Sequence, residues 1–420
     1  MSPATEVVST KAGCVAIEDE SQRFPVPTGH RRVRRHGLAR ASAAGLIALA
    51  TPLLLSCGGP GDGTATTSGP ATTPFTATTT STSTTSPSSR PTATPTYDSN
   101  SGTSPAVSLA FGARNGTAQV AYAVGNVFHD GDRTVRLPVS GGVQDLQYLA
   151  RLEGGGVLVL APAKSGAQPL IIVDSSGGVV GRFADVKQVV VSDSGSRVAT
   201  SDAAGTLRLR DVTGKSLASF ATKDPNVTLS GILGDSVYYY RTTSKGWATR
   251  VWQSATGKDT DLVSGSIRDI NEATGLAVVW PNQAFEPQHT CYSILDLRRA
   301  STRYVSCGEF APMQFTADGS MVVGVNDADG GAASRWKIAS TKDGRILLRV
   351  LTSGGAWAPV ILGANTDGLT VALLDREGAT RQVIASCTVA RRACTIDTEP
   401  VAVSPAASQN DNYPIILSAN

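Results

Sequence analysis

The chain has 420 residues, of which 43 are glycine and 22 are proline, while only 17% are charged. This composition favours a turn-rich β protein over a helical one, and the length allows a sizeable core besides other kinds of segment. The formal net charge is +3, but seven basic and four acidic residues precede Cys57, which leaves 30 of each sign from Cys57 onward. The basic footprint of a nucleic-acid-binding protein is therefore absent, and nucleic acid is excluded as a partner.

Residues 30–57 have the layout of a secretion signal. An arginine-rich segment precedes an apolar run, Leu38–Leu55, and a small residue lies just before Cys57. Arg40 and Pro52 interrupt the run, which leaves it shorter than the ~20 apolar residues of a typical membrane span. We therefore predict an export signal that is cleaved, with an uncleaved membrane anchor as the alternative.

The end of this signal, Leu54-Leu55-Ser56-Cys57, resembles the bacterial lipobox. The resemblance implies cleavage before Cys57, transfer of diacylglycerol to its thiol and acylation of the new amino group, so that the lipid membrane is a partner. An ordinary cleaved signal without lipid is the alternative. The first 30 residues, which include Cys14, are long for such a signal, and a start at Val26 or Val33 would shorten them.

From Gly58 to about Pro105 the sequence is almost entirely Thr, Ser, Pro, Gly and Ala. A segment of this composition has too few apolar residues to form a core, so we predict a disordered tether. The chain then divides into a signal region (residues 1–56), the lipidated cysteine with its linker (57–105) and a folded domain (106–420).

The rest of the sequence repeats a pattern of four short apolar strands joined by polar turns. In the clearest copy, VVVSDSGSRVATSDAAGTLRLRDVTG (Val189–Gly214), the turns are rich in Asp and Gly, which accept the backbone angles of tight hairpins. Leu217–Phe220 supplies its fourth strand. Six such units begin near residues 143, 187, 226, 266, 309 and 355, and this spacing is typical of four-stranded propeller blades.

The two ends of the repeat region carry incomplete units. Gln119–Asn126 and Thr134–Pro138, with a turn at His129–Asp132, are predicted as the third and fourth strands of a blade. Val401–Pro405 and Tyr413–Leu417 are predicted as its first and second strands. Joining them closes a ring and removes its open edges. The sequence thus predicts an all-β, seven-bladed β-propeller, with six or eight blades, or a β-sandwich, as alternatives.

Two segments carry a family resemblance. Val189–Gly214 resembles a blade of the WD-repeat family, and MQFTADGSMVVGV (Met313–Val325) resembles the first half of another. Arg210-Asp211 stands where that family usually has Trp-Asp, and the family's Gly-His pair is missing. The chain is therefore similar to the broad group of secreted, WD-like bacterial propellers, which are often lipoproteins. Its Gly-, Ala-, Thr- and Arg-rich composition also resembles that of actinobacterial proteins. The resemblance implies a fold for residues 106–420 and leaves the function open.

Four cysteines beyond Cys57 fall into two local pairs. Cys291 and Cys307 lie at matching ends of a predicted hairpin, and Cys387 and Cys394 flank a short turn. We predict disulfides between the outer two strands of the fifth and seventh blades, counting the stitched blade first, because an exported protein meets an oxidising environment. Free buried thiols and a metal site are the alternatives, although the spacing lacks the CxxC pattern of zinc sites.

Motifs for catalysis and metal binding are scarce. His129 and His289 are too few for a histidine-rich metal centre, and no GxSxG nucleophile motif occurs. Asn326–Gly331 alternates acidic residues before glycine but lacks the further acidic ligand of a calcium loop. We therefore expect no metal and no cofactor, and no catalytic residue is assigned.

The connection Pro281–Thr290 is longer than the equivalent turns of the other units. Loops held by rigid blades commonly carry binding residues. Asn282, Gln283, Phe285 and His289 are therefore candidate binding residues, with an irregular surface loop as the alternative.

Two functions fit these observations. The first is a lipid-anchored, extracytoplasmic propeller that binds an envelope protein or ligand without catalysis. The second is an extracytoplasmic hydrolase or lyase, which would require several carboxylates to converge at one mouth of the central channel. The first strands, which would line that channel, are apolar or small except for Asp145 and Asp269, and this favours the binding function.

Overall fold

The computed structural model describes residues 95–97, 104–139, 146–161, 168–244, 246–281, 291–308, 310–326, 332–333, 335–359, 362–376, 379–409 and 413–420. The predicted export signal, Cys57 and most of the predicted linker lie outside the described residues. Within those residues, none of the helices has both the length and the apolar character needed to cross a membrane.

The described chain consists almost entirely of short β-strands. In chain order these are β1 Pro95–Tyr97, β2 Ala106–Ala110, β3 Tyr122–Val124, β4 Val127–Asp130, β5 Arg133–Arg136, β6 Tyr148–Arg151, β7 Val157–Leu160, β8 Gln168–Val173, β9 Val179–Val186, β10 Gln188–Val191, β11 Val198–Ser201, β12 Thr206–Arg210, β13 Ser216–Ala221, β14 Thr228–Leu233, β15 Ser236–Thr243, β16 Gly246–Gln253, β17 Lys258–Ser264, β18 Ser266–Asn271, β19 Leu276–Trp280, β20 Cys291–Asp296, β21 Ser301–Cys307, β22 Phe310–Phe315, β23 Met321–Asn326, β24 Ala332–Ala333, β25 Arg335–Ser340, β26 Ile346–Ser353, β27 Ala358–Pro359, β28 Leu362–Asn365, β29 Gly368–Leu374, β30 Arg381–Thr388, β31 Ala393–Ile396, β32 Val401–Ala402 and β33 Ile415–Leu417. A 3-10 turn at Glu153–Gly155 and a short helix, α1 Pro405–Gln409, complete the elements.

Seven sheets, each built on four antiparallel strands, form the blades. Blade 1 contains β33, β3, β4 and β5; blade 2 contains β6 to β9; blade 3 contains β10 to β13; blade 4 contains β14 to β17; blade 5 contains β18 to β21; blade 6 contains β22, β23, β25 and β26; blade 7 contains β28 to β31. The predicted seven-bladed, all-β propeller is therefore confirmed, and counts of six or eight are excluded.

Each blade packs on both of its neighbours through a hydrophobic cluster, and blade 7 packs on blade 1. Buried pairs that represent the seven interfaces, from blades 1 and 2 round to blades 7 and 1, are Phe128 and Val157, Ile172 and Val198, Leu209 and Val237, Val251 and Ile267, Val278 and Val322, Val323 and Val371, and Ile384 and Ile415. Alternate side chains of a strand point to opposite faces, so each blade serves two interfaces. The core is a closed ring.

Blade 1 is stitched from both ends of the repeat region, but the predicted partition of its strands is wrong. The C-terminal segment supplies one strand, β33, and the N-terminal segment supplies three. The reason lies in two tight turns, at Gly125 and Gly131, where φ is 62° and 61°. These turns fold the N-terminal segment into two hairpins and place His129 in β4. Val401–Ala402 pairs instead with β30 of blade 7.

The predicted first strand of blade 7, residues 358–363, is also divided in two. Ala358–Pro359 pairs with Ala332–Ala333, whereas the blade itself begins with β28 at Leu362. Proline lacks the N–H that a central strand position needs. Pro359 therefore lies before the blade.

The N-terminal part of the described chain covers the outer edges of three blades, and we name it the belt (β1, β2 and residues 115–116). β1 pairs in parallel with β21 of blade 5, and β2 pairs in parallel with β26 of blade 6. The N–H groups of Asn115 and Gly116 donate to the carbonyl of Ile396 in blade 7 at 2.8 and 2.9 Å. The belt thus pairs backbone groups that an open edge strand leaves unpaired.

Two disulfides join the outer strands of blades 5 and 7. Cys291 is bonded to Cys307 across β20 and β21, and Cys387 is bonded to Cys394 across β30 and β31. Their Cα atoms are 4.0 Å apart in both pairs, because each pair lies directly opposite in its strand register. These are the two local pairs that the sequence favours over free thiols or a metal site.

The closing strand gives a direct test of the ring. Leu417, in β33, is 5% exposed, whereas Leu217, in the outer strand β13, is 46% exposed. We expect Leu417→Ala to lower the free energy of unfolding by about 2–5 kcal/mol, and Leu217→Ala to lower it by less than about 1 kcal/mol. Denaturant unfolding of the two variants measures the difference, and equal losses would contradict ring closure by β33.

Candidate functional site

The first strands of the blades surround a central channel. β10, β14, β18, β22 and β28 are successive neighbours around it. The turns that join each first strand to its second strand lie at one end of the channel, which we name the turn end. The connections between second and third strands lie at the opposite end, which we name the loop end.

At the turn end, blades 3 and 5 are bonded to each other although blade 4 lies between them in the ring. The N–H of Glu272 donates to Oδ2 of Asp193 at 2.8 Å, and the N–H of Ser194 donates to Oε2 of Glu272 at 3.0 Å. Asp193 follows β10 and Glu272 follows β18. Each carboxylate therefore accepts a backbone amide of the other turn.

A third carboxylate, Asp269, lies on β18 below these turns. Its Oδ2 accepts the N–H of Phe315 in blade 6 at 2.7 Å. Burial, with a smaller contribution from the charge of Asp193, raises the pKa of Asp269 to about 7. Burial likewise raises the pKa of Asp193 to about 6, while its bond from the Glu272 amide opposes the rise. Asp193 is exposed to solvent as a residue, and contact with water limits the rise.

The phenol of Tyr148 completes this group. Its Oη accepts the N–H of Val191 at 3.2 Å, and burial, reinforced by the charges of Asp193 and Asp269, raises its pKa. A carboxyl with a pKa near 7 can exchange a proton at neutral pH, so the turn end offers acid–base chemistry. Among the described residues, no three His, Cys, Asp or Glu side chains are arranged to hold a metal ion.

A separate cleft lies between the outer parts of blades 2 and 3, with a volume of about 390 Å³. Arg182, Arg208 and Arg210 line it, together with Phe183 and Asp202. The guanidinium of Arg210 lies 4.3 Å from the centroid of the Phe183 ring, and Nη1 of Arg208 donates to Asp202 at 2.8 Å. Burial, with the charge of Arg208, lowers the pKa of Arg210. Asp185 also lines the cleft, so two carboxylates face its three guanidinium groups.

The structure describes only some of the residues that were predicted as sites. Asn282, Gln283, Phe285 and His289, the candidate binding residues, lie outside the described residues, as does the lipidated Cys57. These assignments stay predictions.

His129 is described: its ring is stacked on that of Tyr122, with centroids 4.7 Å apart, and burial lowers its pKa. Asp145 and most of Asn326–Gly331 fall outside the described part of the chain.

The convergence of carboxylates at the turn end was not predicted from the sequence. Asp193 and Glu272 lie in turns, where Asp and Glu have an ordinary structural explanation, and only Asp269 lies in a first strand. Corresponding positions of the repeat offered the one available signal. Asp193 lies two residues after the first strand of unit 187, and Glu272 lies one residue after that of unit 266, so both belong to the same end of the ring.

No protein-family model and no curated protein matches the chain. Among solved structures it is similar to an uncharacterized protein of Listeria monocytogenes, with 12% identity and a TM-score of 0.45, covering 61% of this chain and 83% of that one. It is also similar to the C-terminal WD40 domain of Sif2, with 13% identity, a TM-score of 0.39 and coverage of 64% and 92%. It is similar as well to the β-propeller domain of Cps50 (Swd1) from Myceliophteria thermophila, with 9% identity and a TM-score of 0.41, covering 67% of this chain and 89% of that one. These similarities concern the fold alone.

The turn end predicts a pH dependence of stability. Because the folded-state pKa of Asp269 lies above its ordinary value, its contribution to stability is present at low pH and is lost as the pH rises through about 7. Asn keeps the acceptor for the Phe315 amide without ionising. We therefore expect Asp269→Asn to flatten the fall in melting temperature between pH 5 and pH 8.

Asp174→Asn is the matched control. Asp174 is exposed, and hydrogen bonds from Ser176 and Gly178 lower its pKa, so it stays ionised throughout this range. The control should keep the wild-type pH dependence. A wild-type slope in Asp269→Asn would show that Asp269 does not titrate with a raised pKa.

Proposed function

We propose that the protein is a lipid-anchored, non-catalytic binding propeller on the extracytoplasmic face of the cytoplasmic membrane. The lipobox-like Leu54-Leu55-Ser56-Cys57 supports the anchor, and the linker after it supports a tethered domain. The two disulfides support an oxidising compartment, because such bonds are rare in the cytosol.

One observation carries the choice of binding over catalysis. The carboxylates that converge at the turn end are already occupied by backbone amides, which belong to Glu272, Ser194 and Phe315. Such bonds fix neighbouring turns and strands in place, and they favour the ionised form that accepts them. These carboxylates therefore act as structural links between blades 3, 5 and 6.

The convergence itself favours a second candidate, an extracytoplasmic hydrolase or lyase. Asp269, with a pKa near 7, would be its general acid or base. This candidate requires the bond from Phe315 to be released or shared during the reaction.

Lipid anchoring is tested by substitution of Cys57. In cells fed labelled palmitate, we expect the wild-type protein to carry label and to sediment with membranes. Cys57→Ala should carry no palmitate label and should be missing from the lipidated fraction, because the acceptor thiol is gone. Cys14→Ala is the matched control and should behave as wild type, since Cys14 precedes the cleavage point. Equal labelling of Cys57→Ala and wild type would contradict the anchor.

The enzyme candidate is tested with the purified protein and panels of cell-envelope substrates. The binding function predicts no turnover that depends on Asp269. Turnover that is abolished in Asp269→Asn and kept in Asp174→Asn would instead establish the hydrolase or lyase.

A further inference from the structure

Arg268 occupies an irregular position in the first strand of blade 5. Ile267 pairs with Val279 and Asp269 pairs with Val278, so Arg268 is the extra residue of a β-bulge in β18. Bulges redirect a side chain away from the regular alternation of the strand. Here the guanidinium carbon reaches two rings, 4.2 Å from the centroid of Trp280 and 5.7 Å from that of Trp247.

The surroundings of this guanidinium are aromatic. The ring centroids of Tyr240 and Trp247 are 6.0 Å apart, and those of Trp280 and Tyr292 are 5.3 Å apart. We name these four residues the aromatic box. Trp280 ends β19 opposite the start of β18, which places the box toward the loop end of the channel. The indole of Trp280 is held by a bond from Nε1 to the carbonyl of Pro312, 2.8 Å long.

The positive charge of Arg268 lacks a counter-charge. Its Nε and Nη1 are buried without a hydrogen-bond partner, and no carboxylate of the described residues forms an ion pair with it. Arg250, in contrast, is paired with Asp259 at 2.8 Å. Burial lowers the pKa of Arg268, as expected when a cation loses water without gaining an anion. Native proteins pair nearly all such groups, so an unpaired one calls for a ligand or another cause.

Apolar walls around one charged group are the usual composition of a small-ligand site. One guanidinium carries a single positive charge, which matches a monovalent carboxylate better than a phosphate dianion. Arg268 as a whole residue is intermediate in exposure, so part of it reaches solvent although Nε and Nη1 are buried.

We propose that Arg268 and the aromatic box bind an organic carboxylate at the loop end of the channel. The carboxylate pairs with the guanidinium, and the apolar body of the ligand lies against the rings. This inference rests on the binding function proposed above and gives the chemical class of the ligand. A free acid and the C-terminal carboxylate of a polypeptide share this chemistry.

The competing explanation is that Arg268 is a structural link held by its cation–π contacts. The two explanations predict opposite effects on stability. If the charge is kept for a ligand, Arg268→Met should leave the melting temperature of the free protein unchanged or raise it, because an apolar side chain replaces an unpaired buried cation. A structural link predicts a fall in melting temperature.

Binding is tested by calorimetric titration of the full-length protein with 3-phenylpropionate, and with its neutral amide as the matched probe. We expect the acid, but not the amide, to bind the wild type. Arg268→Met should weaken binding at least tenfold, and Arg268→Lys, which keeps the charge, should weaken it less. Arg303→Met, at an exposed position of β21, should bind as the wild type does. A peptide ending in a free or amidated phenylalanine distinguishes the polypeptide source from the free acid.

Three results would overturn the proposal: no binding of acid or free-ended peptide to the wild type at millimolar concentration, equal binding by Arg268→Met, or a lower melting temperature for Arg268→Met. The binding function is judged separately. A partner captured from cells by both the wild type and Arg268→Met would show that Arg268 is not the binding site, and it would still support a binding function.

Discussion

The ring depends on the attachment of one short strand, β33, to a segment nearly 300 residues earlier. Tyr122 pairs with Leu417, and the N–H of Ile415 donates to Oε1 of Gln382 in blade 7 at 2.8 Å. Further along, the N–H of Ala419 donates to the carbonyl of Leu149 in blade 2 at 2.9 Å. The segment therefore links blades 7, 1 and 2. Without it blades 1 and 7 would expose apolar faces to water, and the other interfaces would lose the constraint of closure.

Closure of the ring holds the first strands around the channel. The charged side chains at the two ends of the channel differ in whether they have partners. At the turn end, Asp193, Asp269 and Glu272 each accept a backbone amide from another blade, so these carboxyl groups have hydrogen-bond partners within the chain. Toward the loop end, Arg268 is surrounded by rings and has two unpaired nitrogens. A buried charge is costly unless it is paired. Arg268 therefore calls for a partner from outside the chain, whereas the carboxyl groups at the turn end have partners within it.

Much of the fold followed from the sequence because its local signals are strong. Asp- and Gly-rich turns separate apolar strands at a nearly constant period, and the matching positions of Cys291 and Cys307 gave the hairpin register. The strand partition of blade 1 was wrong because the short turn at Gly125 was taken for part of a strand, and because the predicted turn at His129–Asp132 includes His129 and Asp130, which belong to β4. The belt was not predicted, since parallel strand addition leaves no periodic pattern in residues 95–116.

The candidate sites were harder to predict because their residues come from different blades. Asp193 and Glu272 are 79 positions apart, and their reciprocal bonds depend on how the ring closes. The significance of Arg268 depends on a bulge and on Trp247 from blade 4, neither of which a single strand reveals. Arg210 was noticed only as a departure from the WD-repeat pattern, whereas in the structure it lines the cleft between blades 2 and 3 with Phe183.

The central claim is that this propeller acts by binding a partner or ligand at the cell envelope. It is tested most directly by crosslinking in intact cells, followed by purification of the lipidated protein and identification of what is attached to it. The account predicts a specific crosslinked species that is reduced in Arg268→Met and unchanged in Arg303→Met. Recovery of no specific species, together with turnover of an envelope substrate by the purified protein, would contradict it.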